Sequence, residues 1–325
     1  MKKIAVLGDG AWGTACAMLL ADNGYHVSLW CHNPAVMHAI VTQARNTLYF
    51  PDYMLNTSRI QATTDIDHAV NQADYIFQAI PVVYMRGVLE TVPNHAYMVP
   101  WIVLSKGIEQ YTLLLPTQII DDVAGHSVRQ IVLSGPSFAK DLAQRQLTAV
   151  ALGAQDAALV HDVQHIVHNH YFRTYSTDDM LGMQLCGALK NSIALGVGLL
   201  GGDCNSDNTK LFFLTRALGE LVQLVVALGG DQKIVYGLSG VGDLMLTALG
   251  KHSKNVMAGS YIAAGMTVDN LHTVLKTVPE GINTTSSVMQ LMQRYNLNLP
   301  LFTAIHAVVF HQEPISRIHD ALLDH

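Results

Sequence analysis

The strongest constraint on how this chain folds is a glycine cluster near its start. Gly8-Asp9-Gly10-Ala11-Trp12-Gly13 directly follows the apolar run Ile4-Ala5-Val6-Leu7 and precedes a helical run over residues 14–22. In a G-x-G-x-x-G motif the first glycine permits a tight turn and the second lets the backbone approach a pyrophosphate. The third lets helix and strand pack closely, while N–H groups at the helix start face the anion. Such a motif is weak evidence alone. Here it sits between a strand and a helix and ahead of a second apolar run, His26-Val27-Ser28-Leu29-Trp30, the context of a dinucleotide-binding βαβ unit. The competing reading is a glycine-rich βα turn with no ligand.

Further apolar runs, Tyr75-Ile76-Phe77-Gln78-Ala79-Ile80, Trp101-Ile102-Val103-Leu104 and Ile131-Val132-Leu133, read as strands buried on both faces. Additional β signals lie at residues 148–152 and 171–175, after which strand signals stop. From Asp178 onward apolar residues recur at helical spacing, as over 211–228 and 288–295. The expectation is an α/β fold: an N-terminal Rossmann-type, mostly parallel sheet over residues 1–178 and an all-helical substrate domain over 179–325. A length of 325 residues suits two domains.

Only 14% of residues are charged and 50% are hydrophobic, with a net charge of −6. No Lys/Arg block supplies the basic stripe that nucleic acid requires. The charge-poor segment 181–202 carries Lys190, Gln184, Asn191, Ser192 and six glycines. It falls short of the roughly 20 apolar residues of a membrane span. Met1-Lys2-Lys3 and the apolar run after it resemble a signal peptide, but Asp9 and three glycines argue against one. Cys16, Cys31, Cys186 and Cys204 form no CxxC or regular framework, which fits reduced thiols in the cytoplasm. His161, His165 and His168 share a helical face without an acidic or Cys partner, so a solvated face and no metal site is expected.

Cofactor choice is read after the second strand, where an NAD-selective site places Asp or Glu about 20 residues past the motif. This chain has Trp30-Cys31-His32-Asn33 there. With no carboxylate to repel a 2′-phosphate, NADPH is expected to be preferred or at least used, NADH being the second cofactor. His32 and Arg45 are the candidates to contact the phosphate.

Lys190 is the only charge in residues 181–202, and Asp243 the only one in 234–250. Burying either unpaired costs several kcal/mol, so the two should approach one another or a polar ligand. Burial acts to lower the pKa of such a lysine, which suits proton exchange near neutral pH. A structural buried salt bridge is the equal alternative. Ser105-Lys106-Gly107 and Gly135-Pro136-Ser137 follow strands, where open α/β sheets bind ligands. Ser253-Lys254-Asn255 is a donor-rich cluster suited to phosphate at a helix start, or an ordinary helix cap.

Together, Gly8-Asp9-Gly10-Ala11-Trp12-Gly13-Thr14, Leu29-Trp30, Ser105-Lys106-Gly107, Ser134-Gly135-Pro136-Ser137-Phe138-Ala139, Leu189-Lys190-Asn191, Gly240-Val241-Gly242-Asp243-Leu244 and Glu280-Gly281 resemble the bacterial-type NAD(P)-dependent glycerol-3-phosphate dehydrogenases. The resemblance runs in order from residue 4 to about residue 310. It implies reversible reduction of dihydroxyacetone phosphate to sn-glycerol 3-phosphate, feeding phospholipid synthesis, in a cytoplasmic homodimer. It also implies roles: Lys190 as acid/base with Asp243 as its substrate-side partner, and Lys106 touching cofactor and substrate. Gly135 and Ser137 would line the substrate pocket, and Ser253, Lys254 and Asn255 would contact substrate. Gly8, Gly10, Ala11, Trp12, Gly13, His32, Ala139, Lys254, Val278 and Glu280 would contact the cofactor. Two positions depart from the family: Lys254 stands where Arg is usual, exchanging a planar fork for a point charge, and Ile80-Pro81-Val82-Val83 replaces a Val-Pro-Ser. The rival enzyme reading is a hydroxyacid dehydrogenase of the 3-hydroxyisobutyrate or 6-phosphogluconate type. The rival from another class is a non-catalytic cofactor-sensing protein, which would need the glycine loop but not Lys190 and Asp243.

Overall fold

Short, mostly apolar runs form eight strands, β1 (Lys3–Leu7), β2 (His26–Trp30), β3 (Ile60–Thr63), β4 (Tyr75–Gln78), β5 (Trp101–Val103), β6 (Gln130–Ser134), β7 (Thr148–Gly153) and β8 (Phe172–Thr177). The computed structural model of the chain describes residues 2–201, 206–250, 253–275 and 279–323. One sheet takes the order β3-β2-β1-β4-β5-β6-β7-β8. All neighbours pair in parallel except β6 and β7, which are antiparallel. The middle strands β4, β5 and β6 are buried throughout, the signature of a sheet covered on both faces. The edge strand β3, Ile-Gln-Ala-Thr, buries only Ile60, and the sequence pattern misses it for that reason.

Helices α1 (Ala11–Asp22), α2 (Pro34–Gln43), α3 (Ile66–Val70), α4 (Val82–Leu89), α5 (Pro116–Ala124), α6 (Ala139–Ala143) and α7 (Ala157–Val167) accompany these strands. Their starts follow from short polar side chains: Asn33 accepts from the Ala35 N–H, Asp65 from that of His68 and Asp156 from that of Leu159. The strand order reverses at β1, which has β2 on one side and β4 on the other. In this register Leu7 lies opposite both Trp30 and Gln78, so Gly8, Cys31 and Ala79 emerge side by side at the carboxyl edge. That is the topological switch point at which doubly wound sheets bind ligands.

The second unit is helical: α8 (Met180–Leu199), α9 (Asp207–Ala227), α10 (Gln232–Val235), α11 (Asp243–Leu249), α12 (Lys254–Ala263), α13 (Glu280–Tyr295), α14 (Pro300–His311) and α15 (Ser316–Leu323). Among the described residues no helix is long and apolar enough to cross a membrane.

The chain divides into Met1–Lys106 with Pro116–Met180, and Gly107–Leu115 with Leu181–His325. Each has its own core, one around Val6, Leu29, Phe77, Ile102 and Leu152, the other around Leu189, Phe213, Leu221 and Ile305. This differs from a single boundary at 178/179, because residues 107–115 go with the helical unit. Ile108 and Leu115 are buried in the helical core and Gln110 Nε2 donates to Asn283 Oδ1 at 3.3 Å. Two such buried side chains contribute about 1.5–3 kcal/mol each toward holding this nine-residue excursion. Gly107 supplies the left-handed φ of +140° with which the excursion begins.

Candidate active site

At the carboxyl edge of β1 the motif glycines have separate physical reasons. Gly8 has φ +122° and a Cβ there would lie 2.8 Å from the Ala79 carbonyl oxygen. A Cβ on Gly13 would lie 2.0 Å from the Gly8 oxygen, so any side chain would push α1 off its strand. Gly10 has nothing within 4 Å of where its Cβ would be. The first and third glycines therefore fix the turn, and the second leaves open space at the start of α1. That cradle fits a dinucleotide pyrophosphate. Ala11 and Trp12 occupy the first turn of α1. His32 is exposed beside Trp30, ring centroids 6.0 Å apart.

Asn46 and Asp9 belong to this loop although sequence reasoning assigned neither a role. Asn46 is fully buried; its Nδ2 donates to the Asp9 carbonyl at 2.9 Å and to Thr14 Oγ1 at 2.8 Å, locking the loop. The Asp9 carboxylate accepts from the Asn33 N–H at 3.1 Å. Burial, reinforced by the Asp9 charge, pushes the Cys31 thiol up to about 12 and also raises the Tyr49 phenol.

Farther along the same edge Ser105 Oγ donates to the Ile80 carbonyl at 2.5 Å, which fixes the turn carrying the half-buried Lys106. Gly135 follows β6, and a Cβ on it would lie 2.8 Å from Val150 Cα, so the close approach of β7 alone requires glycine there. Ser137 Oγ donates to the Gly135 carbonyl at 3.0 Å, and Ala139 opens the short α6.

In the helical unit, Lys190 lies midway along α8 with 7% of its surface exposed, and Asp243 is 2% exposed. Lys190 Nζ donates to Asp243 Oδ1 at 2.5 Å and to Thr247 Oγ1 at 2.9 Å. Thr247, one helical turn after Asp243, donates in turn to the Asp243 carbonyl at 2.7 Å. The i, i+4 spacing in the otherwise apolar α11 was the signal that would have found it. A π-helical turn over Leu238–Gly242 sets the start of α11, and Gly240 packs so closely that a Cβ would lie 2.0 Å from the Val235 oxygen. The two lone charges thus solve each other's desolvation, as a paired ammonium and carboxylate must.

The neighbouring Asn191 joins a second group. Its Oδ1 accepts from Asn255 Nδ2 at 3.0 Å, its Nδ2 donates to Glu280 Oε2 at 3.2 Å, and Asn255 Oδ1 accepts from the Gly281 N–H at 3.0 Å. Asn255 and Glu280 are thereby brought together through Asn191. Ser253 caps α12 by accepting from the Val256 N–H at 3.4 Å, and Lys254 is the first residue of that helix. Val278 lies outside the described residues.

The two histidines of α7 and His168, which follows its last residue, do not converge. His161 and His165 bring their Nε2 atoms to 3.1 Å, whereas His168 Nε2 accepts from the Thr174 N–H at 2.8 Å. Among the described residues no group of three or more His, Cys, Asp or Glu side chains is arranged to hold a metal ion.

A parallel sheet with its glycine loop at the switch point, followed by a helical unit holding a buried lysine–aspartate pair, defines a Rossmann-type oxidoreductase using a nicotinamide dinucleotide. Models of the N-terminal and C-terminal parts of NAD-dependent glycerol-3-phosphate dehydrogenase match residues 3–160 and 179–320, and the chain belongs to that family. It is 36% identical over 326 residues to glycerol-3-phosphate dehydrogenase (NAD(P)+) of Bacillus subtilis, covering 99% of this chain and 94% of that protein. The protein of the same name from Enterococcus faecalis is 37% identical over 97% of this chain and 94% of its own length. The crystal structure of glycerol-3-phosphate dehydrogenase from Coxiella burnetii superposes with a TM-score of 0.92 at 27% identity, covering 99% of both chains.

Proposed function

We propose that this chain interconverts dihydroxyacetone phosphate and sn-glycerol 3-phosphate with NAD(P)H, acting as a cytoplasmic homodimer that supplies glycerol 3-phosphate for phospholipid synthesis. The observation that carries the reading is Lys190: an ammonium 7% exposed, gripped by Asp243 and Thr247, in a family that reduces a ketone beside a phosphate. A bound nicotinamide supplies hydride to the carbonyl carbon. Lys190 donates a proton from Nζ to the oxygen on which negative charge develops, neutralising it where it forms. Asp243 holds the ammonium in place. Lys106, Gly135 and Ser137 line the substrate, and Ser253, Lys254 and Asn255 hold its phosphate at a set distance from the reacting carbon. Gly8, Gly10, Ala11, Trp12 and Gly13 cradle the dinucleotide, which His32, Lys106, Ala139, Lys254 and Glu280 also touch.

The test is oxidation of NADH and NADPH with dihydroxyacetone phosphate against unphosphorylated dihydroxyacetone. The phosphorylated ketone is expected to react at least about a hundredfold more efficiently, the worth of about two charge-assisted hydrogen bonds. Lys254→Ala should chiefly raise KM for it. Equal use of both ketones would overturn the reading, and an unchanged KM would remove Lys254 from the phosphate site. Sedimentation at the mass of one chain would rule out the dimer. A requirement for supplied glycerol 3-phosphate after gene loss is expected of the lipid role, and growth without it would contradict that role. Cys16, Cys31 and Cys186 are free thiols, which supports a reducing compartment. Recovery of the protein in an extracytoplasmic fraction would overturn that.

A further inference from the structure

Cofactor selectivity in this fold is decided where β2 hands over to α2. An acid there accepts from the ribose 2′-OH and repels a 2′-phosphate, whereas a phosphate-binding site needs Arg or unused N–H groups. Residues 30–33 contain no acid. The structure supplies one from the loop after the adjacent strand, β1. Because Leu7 pairs with Trp30, Asp9 lies beside the residues that follow β2, and its Oδ2 accepts from the Asn33 N–H at 3.1 Å.

The backbone donors of residues 33–36 are already committed. Asn33 N–H goes to Asp9, Pro34 has none, Ala35 N–H goes to Asn33 Oδ1 at 2.9 Å and Val36 N–H to the Asn33 carbonyl at 3.1 Å. Arg45 directs Nη1 at the Pro51 carbonyl, 2.8 Å away, and Nε at the Met54 sulfur. The field of the Asp9 carboxylate reaches both the end of β2 and the segment after α2, since it adds to the raised acidity constants of Cys31 and Tyr49.

We propose that Asp9, the second residue of the glycine motif, makes this chain select NADH over NADPH by holding a carboxylate where the 2′-phosphate would bind. The inference rests on the dinucleotide reading of the loop and reverses the NADPH preference expected from residues 30–33. A 2′-phosphate would meet like charge and a helix start without an N–H to offer, whereas a ribose 2′-OH would meet an acceptor.

Calorimetric titration of the full chain with NADH and with NADPH, without substrate, tests it. The wild type should bind NADH at least about tenfold more tightly. Asp9→Asn keeps an oxygen for the Asn33 N–H and removes the charge. In it NADPH binding should tighten and NADH binding weaken, lowering the preference at least about tenfold. Wild-type binding of NADPH as tight as NADH, or an unchanged ratio in Asp9→Asn, overturns the proposal. The wild-type comparison decides alone if the variant does not fold. Since no ketone is present, failure to reduce dihydroxyacetone phosphate would leave this result standing and would count only against the reaction.

Discussion

Lys190 and Asp243 are the residues on which the proposed chemistry of the helical unit rests. At 2.5 Å the pair is a charge-assisted hydrogen bond, and the Thr247 hydroxyl, 2.9 Å from the ammonium, fixes its direction. Thr247 is a positioning residue: Thr247→Val keeps the shape and deletes one acceptor. A hydrogen bond to a charged group is worth about 1.5–3 kcal/mol, so kcat should fall about tenfold to a hundredfold with KM nearly unchanged. Thr247→Ser should restore it; a normal kcat in the valine variant would show that the hydroxyl plays no part. The charged pair was legible in the sequence because each member stands alone in an apolar stretch. Thr247 and Asn46 were not, since nothing in a sequence without neighbours in space marks one Thr or Asn among many as buried. Asp9 was hidden differently: the determinant of selectivity was sought after β2, while the carboxylate proposed for it comes from the loop after β1.

The elements owe their positions to contacts that local propensity does not reveal. Helix α8 contains glycines that interrupt its apolar run, and the structure gives one of them, Gly198, a purpose that it shares with Gly259 of α12. A Cβ on Gly198 would lie 2.1 Å from the Val256 oxygen and one on Gly259 2.2 Å from the Leu195 oxygen, so α8 and α12 cross backbone to backbone. Helix α14 begins at Pro300 without a cap of its own. Instead Glu220 of α9, 6% exposed, accepts from the Leu301 N–H at 2.8 Å and the Phe302 N–H at 3.1 Å. Burial holds the Glu220 carboxyl above the usual glutamate range despite these bonds. A carboxyl raised on folding contributes stability that is present below its unfolded value and lost as pH rises through its folded one. The wild type should therefore lose stability relative to Glu220→Gln as pH rises from the ordinary glutamate range toward neutrality. Urea midpoints for both at several pH values would check it, and parallel profiles would refute it.

On the scale of the whole molecule, period was the legible signal. Apolar runs bounded by turns announced the parallel sheet, and the change to helical spacing near residue 178 announced the second unit. The excursion of residues 107–115 into the helical core was not legible, because Ile108 and the run Leu113-Leu114-Leu115 are apolar residues that either core could bury, and only the core that Ile108 and Leu115 enter explains them. Lys190 is the proposed proton donor of a dinucleotide-dependent reduction. Lys190→Ala in the full chain, assayed with dihydroxyacetone phosphate while NADH affinity is measured separately, tests it most directly. We expect kcat to fall at least about a thousandfold, in the range general acid catalysis contributes, with NADH binding within about threefold of wild type. A kcat within tenfold of wild type at unchanged NADH affinity would contradict the assignment and return the pair to a structural salt bridge.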